Sequence, residues 1–259
     1  MKRELWLCQG CRRQVSITSG TILHDSRLPL RTWFRAIWHF TGQQDGVVRA
    51  ADLERKLDLG SYRSAWALLH KLRRAMVQPG EDRLRGVVAV EEIDLSGGKM
   101  GVKGQLTFKM PLVLVAAEMD GDEIKRIRLR NVDELNKASA KAFVADMIEQ
   151  GSTIRASDPI VYKNIPGYAR DRCVRGTDPS AEAMRVPIIR RVESRLKRWL
   201  LEMNLGAIAQ RQLGYYLGVF AFRFNCHASL SQGKLFHGFV QQAVAIPPTA
   251  PHAILARHF

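Results

Sequence analysis

Four acidic residues stand where carboxylates could hold a metal ion. Glu91 and Glu92 directly follow a buried-looking strand, and Asp158 directly follows a later one. We expect these side chains to converge at one end of a sheet, with Glu193, 35 positions after Asp158, as the third ligand. Such oxygens suit Mg²⁺, and two ions about 3.5 to 4 Å apart support phosphodiester chemistry. Taken one at a time, such carboxylates are more often surface charges than metal ligands.

A Cys-x-x-Cys turn near the N-terminus could bind zinc. Cys8 and Cys11 lie among short β-rich segments, which is the pattern of half a zinc ribbon. Tetrahedral Zn²⁺ needs four ligands, and we expect the other Cys-x-x-Cys turn upstream of Met1. The alternative to Zn²⁺ binding is a vestigial or truncated knuckle. The four cysteines of the chain make no disulfide framework, which fits a reducing compartment.

Helical segments precede the acidic residues. The first begins near Leu30, a second covers residues 47–57, and Asp58 to Gly60 form a tight turn before a third helix capped by Ser61. In a helix-turn-helix the start of the last helix meets base edges. The candidates are Tyr62, Arg63 and Ser64 for bases, and Lys71, Arg73 and Arg74 for phosphates. An ordinary αα-hairpin with a basic face is the alternative.

Beyond a linker at residues 78–82 the hydrophobic period changes to two. This pattern predicts strands at residues 86–90, 110–119, 124–130 and 153–156, and helices at 137–150, 180–201 and 212–224. The order of strand, strand, strand, helix, strand, helix indicates an α/β domain. Its mixed sheet, flanked by helices, would present strand ends as a site.

The net charge of +15 is divided unevenly along the chain. Residues 1–85 carry +8, residues 86–152 carry −2, and residues 153–259 carry +9. Basic ends that flank a mildly acidic middle favour a polyanion such as DNA, with Lys197 and Arg198 as further DNA-binding candidates; a solvated basic surface is the alternative. No apolar run approaches the length of about 20 residues that spans a membrane, so we expect a cytoplasmic protein.

Five stretches together carry a family resemblance. They are residues 8–21, 64–76, Val90-Glu-Glu-Ile-Asp-Leu-Ser-Gly-Gly98, residues 196–200 and Phe220-Ala-Phe-Arg-Phe-Asn225. In this order they resemble bacterial insertion-sequence transposases of the DDE superfamily. The resemblance implies a zinc-ribbon remnant at 1–25, a helix-turn-helix segment at 26–78, a ribonuclease-H-like domain at 86–230 and a C-terminal tail at 231–259.

The resemblance also implies which residues would perform the chemistry. The family's first metal-binding Asp matches Glu91, and its second matches Ser157, with Asp158 one residue later. Its third metal-binding position, which is Glu or His in relatives, falls at or near Arg190. Glu193 could substitute from one helical turn away. Because all three positions are altered, the sequence predicts a transposase-like protein with impaired or absent catalysis.

Further properties of the family define the expected partners. They are double-stranded DNA at terminal inverted repeats, Mg²⁺ or Mn²⁺ if the protein is active, and a second copy of the chain in a homo-oligomer associated with the nucleoid. The alternative function is an inactive DNA-binding derivative or regulator of transposition.

Overall fold

The chain folds into two units, residues Met1–Val77 with Ser229–Phe259, and Gln78–Ala228. The computed structural model describes residues 5–43, 48–76, 83–95, 112–156, 161–171, 179–203, 213–226 and 231–248, with the backbone alone for residues 179–188. No helix in this described part of the chain is long and apolar enough to span a membrane.

The described residues of the first unit form a two-stranded ribbon and four helices. Strands β1 (Leu5–Leu7) and β2 (Gln14–Ser16) pair antiparallel. The helices are α1 (Leu30–Gly42), α2 (Ala50–Leu57), α3 (Tyr62–Met76) and, from the C-terminal segment, α7 (Gln232–Ala245). Helix α7 packs against α1 and α3. The segment at 231–259, which the sequence analysis predicts to be a C-terminal tail, therefore contributes a helix to this unit.

The turn between α2 and α3 follows from local backbone chemistry. Asp58 adopts a left-handed conformation with φ of 50°, and its N–H donates to the carbonyl oxygen of Glu54 to end α2. The Ser61 hydroxyl accepts a hydrogen bond from the Ser64 N–H at 3.2 Å and caps α3, as the sequence predicts. Leu53 and Leu57 of α2 are buried, and α2 packs against α3.

The second unit is built on a five-stranded sheet in the order β5-β4-β3-β6-β7. Its strands are β3 (Val87–Asp94), β4 (Leu112–Asp120), β5 (Glu123–Val132), β6 (Thr153–Ala156) and β7 (Ala169–Arg170). Strand β3 pairs antiparallel with β4 and parallel with β6. The flanking helices are α4 (Lys137–Met147), α5 (Pro179–Glu202) and α6 (Leu213–Cys226). The predicted mixed α/β sheet with flanking helices is confirmed.

One face of the sheet packs against α4. The core of this layer includes Val88, Val90, Leu114 and Ala116 from the strands, with Phe143 and its neighbours from the helix. Asn136 caps α4, because its side chain accepts from the Ser139 N–H while the Ser139 hydroxyl accepts from the Asn136 N–H. On α5 and α6 the Trp199 ring lies 6.3 Å from Tyr216 and 5.8 Å from Phe220.

Candidate functional site

Glu91 lies on the central strand of the sheet. Its neighbour Val90 pairs with Ala116 on β4 and with Ala156 on β6, so Glu91 is the first residue of β3 beyond the described parallel register. Because side chains alternate along a strand and Val90 faces α4, Glu91 faces the opposite side of the sheet. It is half-buried there.

The predicted second ligand lies outside the described residues. Strand β6 ends at Ala156, and Ser157 and Asp158 follow it in the sequence. The register places the end of β6 beside Val90 and thus next to the position of Glu91 in the sheet. The convergence of Glu91 with Asp158 therefore stays a prediction.

Glu193 is engaged in an ion pair on α5. Its Oε1 accepts a hydrogen bond from Lys197 Nζ at 2.6 Å, and both side chains are about one-third exposed, 32% and 30%. The helix face directed to the core carries Val192 and Leu196, while Arg190 is exposed. Lys197, one of the predicted DNA-binding residues, thus neutralises the candidate third ligand.

The described carboxylates do not assemble into a metal cage. In the part of the chain that the structure describes, no group of three or more His, Cys, Asp or Glu side chains is placed to hold a metal ion. Because Asp158 lies outside the described residues, this finding does not test the expected set of Glu91, Asp158 and Glu193, which stays a prediction.

Cys8 and Cys11 form a tight, exposed turn. The Cys8 N–H donates to the carbonyl oxygen of Arg13 at 2.9 Å, and the Arg12 N–H donates to that of Cys8 at 2.8 Å. Hydrogen bonds to Cys8 from the backbone and the thiol of Cys11, and from the backbone of Gly10, hold the pKa of the Cys8 thiol below its ordinary value. This favours the thiolate that Zn²⁺ requires, yet the turn supplies two of four tetrahedral ligands.

The predicted base-reading residues all lie at the exposed start of α3. Tyr62 is 55% exposed, and Arg63 and Ser64 are exposed beside it. The Ser61 cap stabilises the first helical turn of α3 where it follows the loop from α2. Helix α3 thus follows α2 after a short turn and presents its N-terminal turn to solvent.

Two of the three predicted phosphate-binding residues point inward instead. Lys71 is 6% exposed; its Nζ donates to the carbonyl oxygen of His24 at 3.2 Å and lies 5.9 Å from the centre of the Trp33 ring. Arg73 is 4% exposed, and its Nη2 donates to the carbonyl oxygen of Val48 at 3.3 Å. Burial lowers the pKa of Lys71 against the smaller opposing effect of Asp25. Such burial of Lys71 and Arg73 is not consistent with direct phosphate contact. The third predicted residue, Arg74, is half-buried.

Asn225, in the motif shared with the transposase family, holds an edge strand. Its Oδ1 accepts from the Ile127 N–H at 2.6 Å, and its Nδ2 donates to the Ile127 carbonyl oxygen at 3.1 Å. Ile127 belongs to β5, which forms one edge of the sheet. The side-chain amide thus satisfies both backbone groups at one point of that edge, a role that the motif alone does not reveal.

Comparison with known proteins agrees with this architecture. Residues 84–225 match the ISXO2-like transposase domain, and this match covers more than half of the chain. A protein of transposable element ISH50 from Halobacterium salinarum, described as uncharacterized, is 21% identical over 242 residues, which cover 85% of this chain and 78% of the relative. The sheet and helices described above are accordingly those of a ribonuclease-H-like transposase domain. The chain belongs to the ISXO2-like family of insertion-sequence transposases.

Proposed function

We propose that the protein binds the terminal inverted repeats of an insertion sequence through the α2–α3 motif and is impaired in metal-dependent strand transfer. The observation that carries the binding proposal is the capped, exposed N-terminal turn of α3 with Tyr62, Arg63 and Ser64 on it. An Arg at this place can bond guanine in the major groove, while the surrounding positive charge attracts phosphates.

A charge reversal on α3 tests the binding proposal. Arg63→Glu should weaken binding of a labelled terminal-repeat duplex at least tenfold in fluorescence anisotropy, because an attractive side chain becomes repulsive at the base edge. Lys141→Glu is the matched control, since Lys141 is exposed on α4 of the other unit and its reversal changes the net charge equally. Equal affinities for the two variants would rule out the proposed reading surface.

Impaired catalysis is supported by the altered carboxylate positions. Glu91 occupies the place of the family's first Asp, and its extra methylene displaces the carboxylate beyond the roughly 0.5 Å tolerance of a preorganised site. Arg190 lies at or near the family's third metal-binding position, where a positive charge would repel a divalent cation. Glu193 is bound by Lys197. DDE transposases use divalent metal in general, and ligands altered in this way would weaken the electrostatic stabilisation of phosphoryl transfer.

The remaining proposals concern assembly and location. We expect at least two copies to bring the two ends of the element together, at the nucleoid, as members of the family are expected to do. Zn²⁺ at Cys8 and Cys11 would require two further ligands.

A second candidate function is regulation by occupancy. It is favoured by the contrast between the exposed α3 turn and the altered metal positions. A regulator would bind the repeats equally well in EDTA and in Mg²⁺, and would slow strand transfer by an active transposase of the same element. If added protein leaves that transfer rate unchanged at saturating occupancy, the regulatory function is excluded.

A further inference from the structure

A basic and aromatic groove lies on the first unit, away from the start of α3. It has a volume of about 800 Å³, is open to solvent, and is formed by α1, the C-terminal end of α2 and α7. This volume is within the range of about 300 to 1,000 Å³ that is typical of ligand sites. The lining residues are Arg31, Phe34, Arg35, Trp38, His39, Lys56, Leu57 and Phe236. We call this surface the α1–α7 groove.

The aromatic side of the groove comes from the spacing of residues on α1. Phe34 and Trp38 are four residues apart and therefore share a helix face. They are 41% and 49% exposed, although the helical pattern alone would assign such large apolar side chains to a core. Phe236 of α7 meets both rings at steep interplanar angles, 73° with Phe34 and 68° with Trp38, so it is stacked on neither of them.

The charged side of the groove comes from the same helix face and from α2. Arg31 and Arg35 precede the two aromatic residues by three residues each, and both are exposed. Arg35 Nη2 donates to the carbonyl oxygen of Lys56 at 3.3 Å, and Lys56 Nζ lies 3.4 Å from His39 Nδ1. These contacts hold two cationic side chains at the groove wall.

The charge of the lining has one sign. None of the side chains that form the groove in the described structure is acidic. Burial and, to a smaller extent, Lys56 lower the pKa of His39, while Asp52 nearby acts in the opposite direction. A neutral His39 leaves its Nδ1 able to accept the hydrogen bond from Lys56.

We propose that the α1–α7 groove binds a short stretch of single-stranded DNA, with unpaired bases stacked on Trp38 and Phe34 and the phosphates held by Arg31, Arg35 and Lys56. Cationic side chains alone would be sufficient to bind a duplex. Its bases are already stacked within the double helix, and its phosphate backbone needs no aromatic surface. Exposed aromatic rings interleaved with cations are the pattern by which proteins bind unpaired strands without sequence preference. Tyr62, Arg63 and Ser64 are not part of the groove, so the site is distinct from the proposed duplex reader.

The experiment compares two DNA probes on the full chain. Fluorescence anisotropy measures affinity for labelled oligo-dT of ten nucleotides and for a blunt duplex carrying the terminal repeat. Trp38→Ala should weaken oligo-dT binding at least about fivefold, the lower end of the effect of losing one stacked base. Trp38→Phe, which keeps a ring, should retain most of the affinity, and the duplex affinity should stay within twofold for both variants.

Two controls separate stacking from general effects. Trp6→Ala removes another tryptophan, 58% exposed on β1 of the same unit, and should leave oligo-dT binding unchanged. Arg31→Glu tests the charged wall independently of the aromatic rings and should lower both the oligo-dT affinity and its dependence on salt.

Three results would overturn the proposal. The first is failure of the unaltered chain to bind oligo-dT, and the second is equal oligo-dT affinity for Trp38→Ala and Trp6→Ala. The third is loss of self-association by Trp38→Ala in sedimentation with oligo-dT affinity unchanged, which would make the groove a protein-docking surface. Failure of duplex binding with groove-dependent oligo-dT binding would instead refute the duplex reader and leave the groove proposal standing.

Discussion

Asn225 shows how one amide side chain can stabilise the edge of a sheet. Both of its hydrogen bonds go to the backbone of Ile127, which is fully buried on β5. A leucine of similar size would leave that N–H and carbonyl without these partners. Unsatisfied buried polar groups cost about 1 to 3 kcal/mol each. The Asn225 contact therefore contributes more to stability than an ordinary surface hydrogen bond does.

Asn225→Leu should therefore lower the free energy of unfolding by about 2 to 4 kcal/mol, measured by urea denaturation. Gln150→Leu is the control, since Gln150 is an exposed amide of the same unit. A loss no larger than that of the control would show that the Asn225 contacts do not stabilise β5.

Glu118 makes the stability of the second unit depend on pH. Burial acts to raise its pKa, but hydrogen bonds from Arg126 and from the Arg85 N–H, and the charges of Arg126 and Lys125, outweigh burial and hold the pKa below the ordinary 4.5. The native state therefore binds this proton less readily than the unfolded chain does. Its stabilisation is present above about pH 4.5 and is lost as the pH falls through the lower native pKa.

Between pH 6 and pH 3, Glu118→Gln should lose less unfolding free energy than the unaltered chain, because the variant has no proton to take up at this position. Urea denaturation at a series of pH values measures the slope. Gln150→Ala, at an exposed residue of the same unit without a titratable group, should keep the slope of the unaltered chain. Parallel pH profiles for Glu118→Gln and the unaltered chain would contradict the assignment.

At the scale of elements, α3 is the helix whose role changes most between sequence and structure. The sequence correctly predicts its start, its cap at Ser61 and its exposed first turn. It also suggests a cationic outer face, yet Lys71 is three residues after Leu68 and four before Ala75, and so lies on their buried face. Helical spacing could have revealed this, whereas the packing of α7 on α3 depends on tertiary structure.

Lys71→Met tests this inward role. The substitution should leave the salt dependence of DNA binding unchanged, whereas loss of a phosphate contact would reduce the slope by about 1. It should also lower the free energy of unfolding by about 1 kcal/mol, because the hydrogen bond to the His24 carbonyl oxygen is lost. Titration in salt and urea denaturation measure the two effects. A reduced salt slope with an unchanged free energy of unfolding would instead show that Lys71 contacts DNA.

The other elements differ in how well they can be predicted from the sequence. The longer strands β3 and β4 follow from runs of apolar residues, β5 follows from apolar positions mixed with basic residues after a short turn, and α4 follows from its helical period. Strand β7 has two residues, Ala169 and Arg170, too few to show any alternation. The sequence does not predict helix α7. Its apolar residues become buried only through packing against α1 and α3, which a local pattern does not show. The exposure of Phe34 and Trp38 likewise depends on packing that no local pattern encodes.

At the scale of the whole molecule, the charge and the family point to DNA while the candidate carboxylates argue against cutting it. The basic excess of +15 lies in the N-terminal and C-terminal segments, and the acidic middle holds Glu91. Arg190 adds to that excess at or near a position where the family resemblance implies a metal ligand. In the proposed function, this positive charge favours binding a polyanion and opposes binding a metal ion.

The most direct test of the account is strand transfer on DNA carrying the element's own terminal inverted repeats. Purified full chain is incubated with this DNA in EDTA, Mg²⁺ or Mn²⁺, and binding and joined products are measured on the same samples. The account predicts a salt-sensitive complex in all three conditions and no joined product in any. A joined product that requires Mg²⁺ or Mn²⁺ and disappears in Glu91→Ala would contradict it.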